Sequence, residues 1–187
     1  PVRPLEGIAA FDLRNAILAN RELVDLIGLL TACWGLGVPV VHLRVFPLRA
    51  KLMRAMIVEV EGRHAVLLGR NAMYPSPIAF TLAHEIGHAA LGHVGSGRAI
   101  VDVGDPAFDG DDEEEREADA YGLELLTGSA KPAITTNTNN FSALGLAQAC
   151  MTAGPPRGIE PGTLALCVGY IKDEWVIANS ALKHIYS

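Results

Sequence analysis

Residues 84–88 read His-Glu-Ile-Gly-His, with Phe80, Leu82 and Ala83 before them and Ala89, Ala90 and Leu91 after. The apolar setting predicts a packed helix from about Ile78 to His93. On that helix His84 and His88 lie four residues apart, on nearly the same face, so their ring nitrogens converge. Surface histidines would have polar neighbours, whereas histidines in a packed helix are costly unless they have partners. Converging imidazoles are typical ligands of a divalent metal such as Zn²⁺. Glu85, directly after the first of them, is the residue type that acts as general base on a water at such a metal. This constrains the fold strongly, because a metal site with one open position needs a third protein ligand from elsewhere in the chain.

His93 is the nearest further histidine. On a continuous helix it falls about half a turn off the face of His84 and His88. The pattern H-E-x-x-H-x-x-G-x-x-H would need Gly at 91 and His at 94, and this chain has Leu91 and Val94. His93 therefore reads as a polar residue of the last helical turn. The acidic run Glu113-Glu114-Glu115-Arg116-Glu117-Ala118-Asp119 offers a carboxylate instead. Such runs are commonly solvated helix faces. Here Glu115 and Asp119 are spaced i, i+4 on one face. Ala118, Tyr121, Leu125 and Leu126 give the same helix an apolar side. The expected site is His84, His88 and Glu115 around the metal, with Asp119 accepting the free N–H of one ligand histidine. Glu117, about 160° round the helix from Glu115, is not expected at the metal.

A chain of 187 residues is most simply one domain, residues 1–187, with a motif-bearing core at 38–128 and a C-terminal helical part at 141–187. The expected class is α+β: a small antiparallel sheet packed on a mostly helical, zincin-like body. Short helices are predicted over Asp12–Ala19 and, capped by Asn20 and stopped at Gly35, over Arg21–Trp34. Val38–Val45 reads as a strand. Ala55–Val60 and His64–Leu68 read as a hairpin around Glu61-Gly62-Arg63. Ser76 and Pro77 suit the start of the His84 helix. Residues 95–111 read as a loop opened by Gly95-Ser96-Gly97, followed by an acidic helix from Asp112 to about Leu126. Lys131–Asn140 is polar and reads as mobile. Phe141–Met151 is a short helix. From Pro161, the apolar positions Leu164, Val168, Ile171, Trp175, Ala178, Leu182 and Ile185 predict one long helix with a buried stripe.

A net charge of −6 and a pI near 5.5 argue against a nucleic-acid surface, which would be basic. The apolar run Leu26–Val41 is short for a membrane span and contains Gly35, Gly37 and Pro39. No secretory signal is visible, and Pro1 as first residue leaves a preceding segment open. Cys33, Cys150 and Cys167 are isolated, odd in number and set among apolar residues. They read as buried free thiols in a reducing, cytoplasmic setting.

Ile78-Ala79-Phe80-Thr81-Leu82-Ala83-His84-Glu85-Ile86-Gly87-His88, followed by Glu115-Arg116-Glu117-Ala118-Asp119-Ala120-Tyr121, resembles the ImmA/IrrE metallopeptidases. The resemblance covers roughly residues 38–128 and is strongest in the two motif helices. It implies zinc held by His84, His88 and Glu115, Glu85 as catalytic acid/base, and a helix-turn-helix transcriptional repressor as the protein cut. Asp119 stands where that family commonly has Asn, and Thr127-Gly128 where it often has Met-Pro. Asp119 is also similar to the E-x-x-A-D helix of the membrane-bound HtpX-like peptidases, which the lack of convincing spans weighs against.

The expectation is therefore a zinc-dependent endopeptidase acting on a protein substrate, with no nucleic acid or membrane partner. Tyr74, Tyr121, His184 and Tyr186 are the open candidates for stabilising the oxyanion. Two alternatives are a zinc-containing module that sequesters a partner without cutting it, and an unrelated globular protein with a chance motif. The first does not explain Glu85, which binding alone would not need.

Overall fold

A computed structural model describes residues 4–43, 53–69, 71–95, 99–102, 113–134 and 141–187. Among these the chain forms seven α-helices and a four-stranded sheet, an α+β fold. In chain order they are α1 (Ala10–Leu18), α2 (Leu26–Gly35), β1 (Val40–His42), β2 (Ala55–Val60), β3 (Arg63–Leu68), α3 (Pro75–Ala90), β4 (Ala99–Asp102), α4 (Glu113–Thr127), α5 (Ala143–Ala153), α6 (Pro161–Lys172) and α7 (Trp175–Ile185).

The hairpin forms where expected. β2 and β3 pair antiparallel, with Val60 opposite Arg63 across Glu61 and Gly62. Both turn residues have positive φ, 52° and 75°, which matches the right-handed twist of the strands. The sheet order is β1-β3-β2-β4. β4 joins β2 antiparallel, but β1 lies parallel to β3, with Val40 opposite Val66. The sheet is thus mixed, with a parallel edge that the antiparallel expectation did not include. β4 also occupies part of what read as a loop. It is four residues long and owes its conformation to pairing with β2.

Alternate residues of the hairpin, Ala55, Ile57, Val66 and Leu68, are buried and join Leu82, Ile86 and Ala89 of α3 in one apolar cluster. Leu13 and Ile17 of α1, Leu29 and Cys33 of α2 and Leu125 and Leu126 of α4 belong to the same cluster. A second cluster joins α5, α6 and α7 through Leu146, Cys150, Leu164, Val168, Ala181 and Leu182, and Phe80 of α3 packs against both.

Several boundaries differ from expectation for identifiable reasons. Asp25, not Asn20, caps α2: its carboxylate accepts from the Gly28 N–H at 2.7 Å. Residues 21–25 are not helical, with bends at Glu22 and Leu23, and Val24 bridges to Ile159. Pro75 takes the first turn of α3 with Tyr74 as N-cap. This frees the Ser76 hydroxyl to meet the Tyr186 hydroxyl at 2.6 Å. The single C-terminal helix is in fact two. Asp173 adopts a left-handed φ of 55° and ends α6. α7 then folds back closely enough that a Cβ on Gly169 would sit 2.7 Å from the Ala178 methyl. Ile171 and Trp175, in the middle of the supposed stripe, are each 43 % exposed. The four-three spacing survives because each short helix buries its own face. Residues 44 and 45 of the expected strand, 96–98 and 103–111 of the expected loop, Asp112 and 135–140 lie outside the described residues.

Buried Arg14 is a tie that sequence reading did not single out. Its guanidinium donates to the carbonyls of Leu125 and Leu126 at the end of α4, and to those of Arg157 and Gly158. A cation is favoured at a helix C-terminus, where carbonyls lack intrahelical donors.

Candidate metal centre

α3 and α4 cross at small residues. A Cβ added to Gly87 would lie 2.9 Å from the Ala118 carbonyl oxygen, and one added to Gly122 would lie 3.3 Å from the backbone of Ala83 and His84. Glycine at both points lets the two backbones approach closely. That approach brings the acidic face of α4 over the two histidines of α3.

The resulting geometry is compact. His84 Nε2 and His88 Nε2 are 3.0 Å apart. Glu115 Oε2 lies 3.2 Å from His84 Nε2, and its Oε1 lies 3.4 Å from His88 Nε2. One ligand atom from each of these three residues falls within 4.8 Å of the others, so the group could hold a metal ion. The donor set tests the fit. Zinc bonds to imidazole nitrogen and carboxylate oxygen at about 2.0–2.2 Å, which places tetrahedral ligand atoms about 3.3–3.6 Å apart. The observed separations are close to that, and a set of two imidazoles and a carboxylate suits such an ion.

Asp119 lies one turn beyond Glu115, and its Oδ1 is 2.8 Å from His84 Nδ1. A carboxylate only accepts, so His84 Nδ1 carries the proton and Nε2 is the nitrogen turned inward. Burial pushes the His84 pKa down, but hydrogen bonds to Asp119 and Glu115 outweigh it and raise it to about 10. The same contacts, with His84 first and His88 second, hold the Glu115 carboxyl well below the usual carboxylate range. Glu85 is fully buried, and its charge also favours a protonated His84. The carboxylates of Asp119, Glu115 and Glu85 thus surround His84 with negative charge.

His93 does not lie in the last turn of α3. The helix ends at Ala90, and Gly92 takes a left-handed φ of 75°. The Gly92 N–H then donates to the Ala89 carbonyl at 3.3 Å, and the His93 N–H to the His88 carbonyl at 3.0 Å. This paired closure folds His93, the residue after the glycine, back over His88, five residues earlier. Gly92 four residues after His88 was the available signal. His93 Nδ1 consequently sits 3.0 Å from His88 Nδ1, and His93 Nε2 lies 3.1 Å from Glu117 Oε2. Glu117 stays away from His84, as its helix position requires, but reaches the site through His93.

A cleft of about 480 Å³ opens beside His84 and Asp119. Its walls include Phe80, Leu123, Leu166, Tyr170, Trp175 and Arg54. The tyrosines considered from sequence point elsewhere. Tyr121 donates its hydroxyl to the Ile8 carbonyl at 2.9 Å. Tyr186 donates to Glu160 at 2.7 Å, and Tyr74 stacks on Tyr186. His184 is exposed on α7. Tyr170 and Arg54, which do line the cleft, were not singled out from sequence. Tyr170 sits near the end of α6, at the break before α7 that was not anticipated. The cysteines are free and buried as expected, and burial pushes each thiol up to about 12. No helix among the described residues is long and apolar enough to cross a membrane.

A family model described as Peptidase U49 matches residues 53–154, more than half of the chain. The matched span runs from the hairpin through both helices of the centre to the end of α5. It bears out a peptidase family without singling out the ImmA/IrrE group. No curated protein and no solved structure matches the chain.

Proposed function

Given that the chain belongs to the peptidase U49 family, we propose that it is a zinc-dependent endopeptidase whose metal is held by His84, His88 and Glu115. The observation that carries this reading is the meeting of two inward-facing Nε2 atoms and both Glu115 oxygens at one point between α3 and α4. When bound, zinc supplies Lewis-acid chemistry, lowering the pKa of a water and polarising a carbonyl.

The chain's own residues do the rest. Glu85, next to His84 on α3, takes the proton of the attacking water and passes it to the leaving amine nitrogen. Asp119 holds the His84 ring in the tautomer that leaves Nε2 free. The cleft beside His84 receives the peptide: Phe80, Leu123, Leu166 and Trp175 offer apolar wall for a side chain next to the cut bond. Arg54 and Tyr170 provide donors for charge developing on the carbonyl oxygen.

A peptidase implies a protein substrate. The likeness of the two motif helices to ImmA/IrrE makes a helix-turn-helix repressor the first substrate to try. The test is cleavage of candidate repressors by zinc-loaded wild type and by Glu85→Gln. The variant should keep its zinc and lose at least about a hundredfold in rate, the scale of general acid–base catalysis. Unchanged cleavage by Glu85→Gln would rule the mechanism out.

A further inference from the structure

His93 and Glu117 extend the centre beyond the three residues that converge on it. Three facts combine. The left-handed Gly92 folds His93 back onto His88. The two Nδ1 atoms then lie 3.0 Å apart, so one of them must donate to the other. The opposite nitrogen of His93 faces the Glu117 carboxylate at 3.1 Å.

A carboxylate accepts and cannot donate, so His93 Nε2 carries a proton. As a metal ligand through Nε2, His88 carries its ring proton on Nδ1 and donates it to the bare Nδ1 of His93. A neutral His88 with its proton on Nδ1 has its lone pair on Nε2, the atom 3.0 Å from His84 Nε2 and 3.4 Å from Glu115. His84 receives the same service directly from Asp119. The two inward nitrogens are thus set by two different devices: one carboxylate in direct contact, and one acting through an intervening imidazole.

We propose that His93 and Glu117 are positioning residues. Glu117 fixes the tautomer of His93, and His93 in turn holds the His88 ring with Nε2 presented to the metal. The inference rests on the metal reading above but has its own test. The His88 and His93 side chains are 1 % and 7 % exposed, so solvent is a poor substitute for either partner, whereas the Glu117 side chain is 55 % exposed and can be changed without opening the core.

The experiment measures zinc affinity by competition with a chromophoric chelator, together with ¹⁵N spectra of the histidine rings, in the full chain. Removing an outer partner of a ligand histidine typically weakens metal binding by about 10–100-fold. His93→Ala should fall in that range, and Glu117→Ala should weaken binding by a smaller factor. Glu117→Gln keeps an acceptor oxygen and should recover most of the loss. The double variant His93→Ala/Glu117→Ala should bind no more weakly than His93→Ala alone, because Glu117 acts through His93. A general packing role predicts neither the recovery nor this lack of additivity. Additive losses, or wild-type affinity in both single variants, would overturn the proposal. If wild type takes up no zinc, the metal reading fails, and the spectra of the zinc-free chain decide the relay separately. Protons on His93 Nε2 and His88 Nδ1 support it, and a proton on His93 Nδ1 overturns it.

Discussion

Gly87 and Ala118 are in backbone contact: a Cβ at position 87 would stand 2.9 Å from the Ala118 carbonyl oxygen. This contact sets the spacing of α3 and α4, and so whether Glu115 reaches the two histidines. Gly87→Ala should force the helices apart, lowering stability by about 1–3 kcal/mol and weakening zinc binding. Gly35, at the end of α2, has nothing within 4 Å of its added Cβ. Gly35→Ala should leave zinc binding unchanged and raise stability by up to about 1 kcal/mol. Thermal melts and metal titration of the two variants separate crowding at the crossing from a general glycine effect.

Asp119 and His84 form the shortest contact around the centre, 2.8 Å. Asp119→Ala should weaken zinc binding by about 10–100-fold through loss of the ring's anchor. Asp119→Asn retains an acceptor oxygen and should stay within a few-fold of wild type. Equilibrium metal competition distinguishes them, and equal losses in both variants would mean that charge, not orientation, is what Asp119 supplies.

The three thiols give a pH prediction. Each is pushed up to about 12 by burial, so at pH 8 only about one in ten thousand is thiolate. The native chain should react with a thiol reagent far more slowly than the denatured chain, which should titrate three groups. The sign for stability follows from linkage. A pKa raised in the folded state stabilises fully below the unfolded value near 9 and is lost as pH rises towards 12. Denaturant midpoints should fall with pH across that window, and the fall should lessen when Cys33 is replaced by Ala.

Arg14 ties four carbonyls from two parts of the chain. Arg14→Met keeps much of the stem but leaves buried acceptors without donors, at a cost of about 3 kcal/mol. Lys presents a point charge in place of the planar fork and should recover only part of the loss. Urea denaturation of the two variants measures both effects.

What could be read from sequence was what local chemistry determines. The hairpin follows from Glu61-Gly62 between strand-like runs. The facing of His84, His88, Glu115 and Asp119 follows from helical spacing within each segment. The missed features depend on where the chain returns. Parallel pairing of β1 with β3 and the four residues of β4 are set by partners distant in sequence. The break at Asp173 is masked because two short buried faces mimic one stripe. His93 was placed by counting along a helix that in fact stops at Ala90, although Gly92 marked the stop. Arg14 resembles any helix arginine until the ends it caps are known.

The most direct test of the centre is the zinc content of the purified chain after exhaustive dialysis, measured beside Glu115→Ala. Wild type should keep about one zinc per chain, and Glu115→Ala, whose histidines remain but whose third ligand is gone, should lose most of it. Wild type that holds no zinc when zinc is supplied, or Glu115→Ala that holds it as tightly as wild type, would contradict a site built from His84, His88 and Glu115.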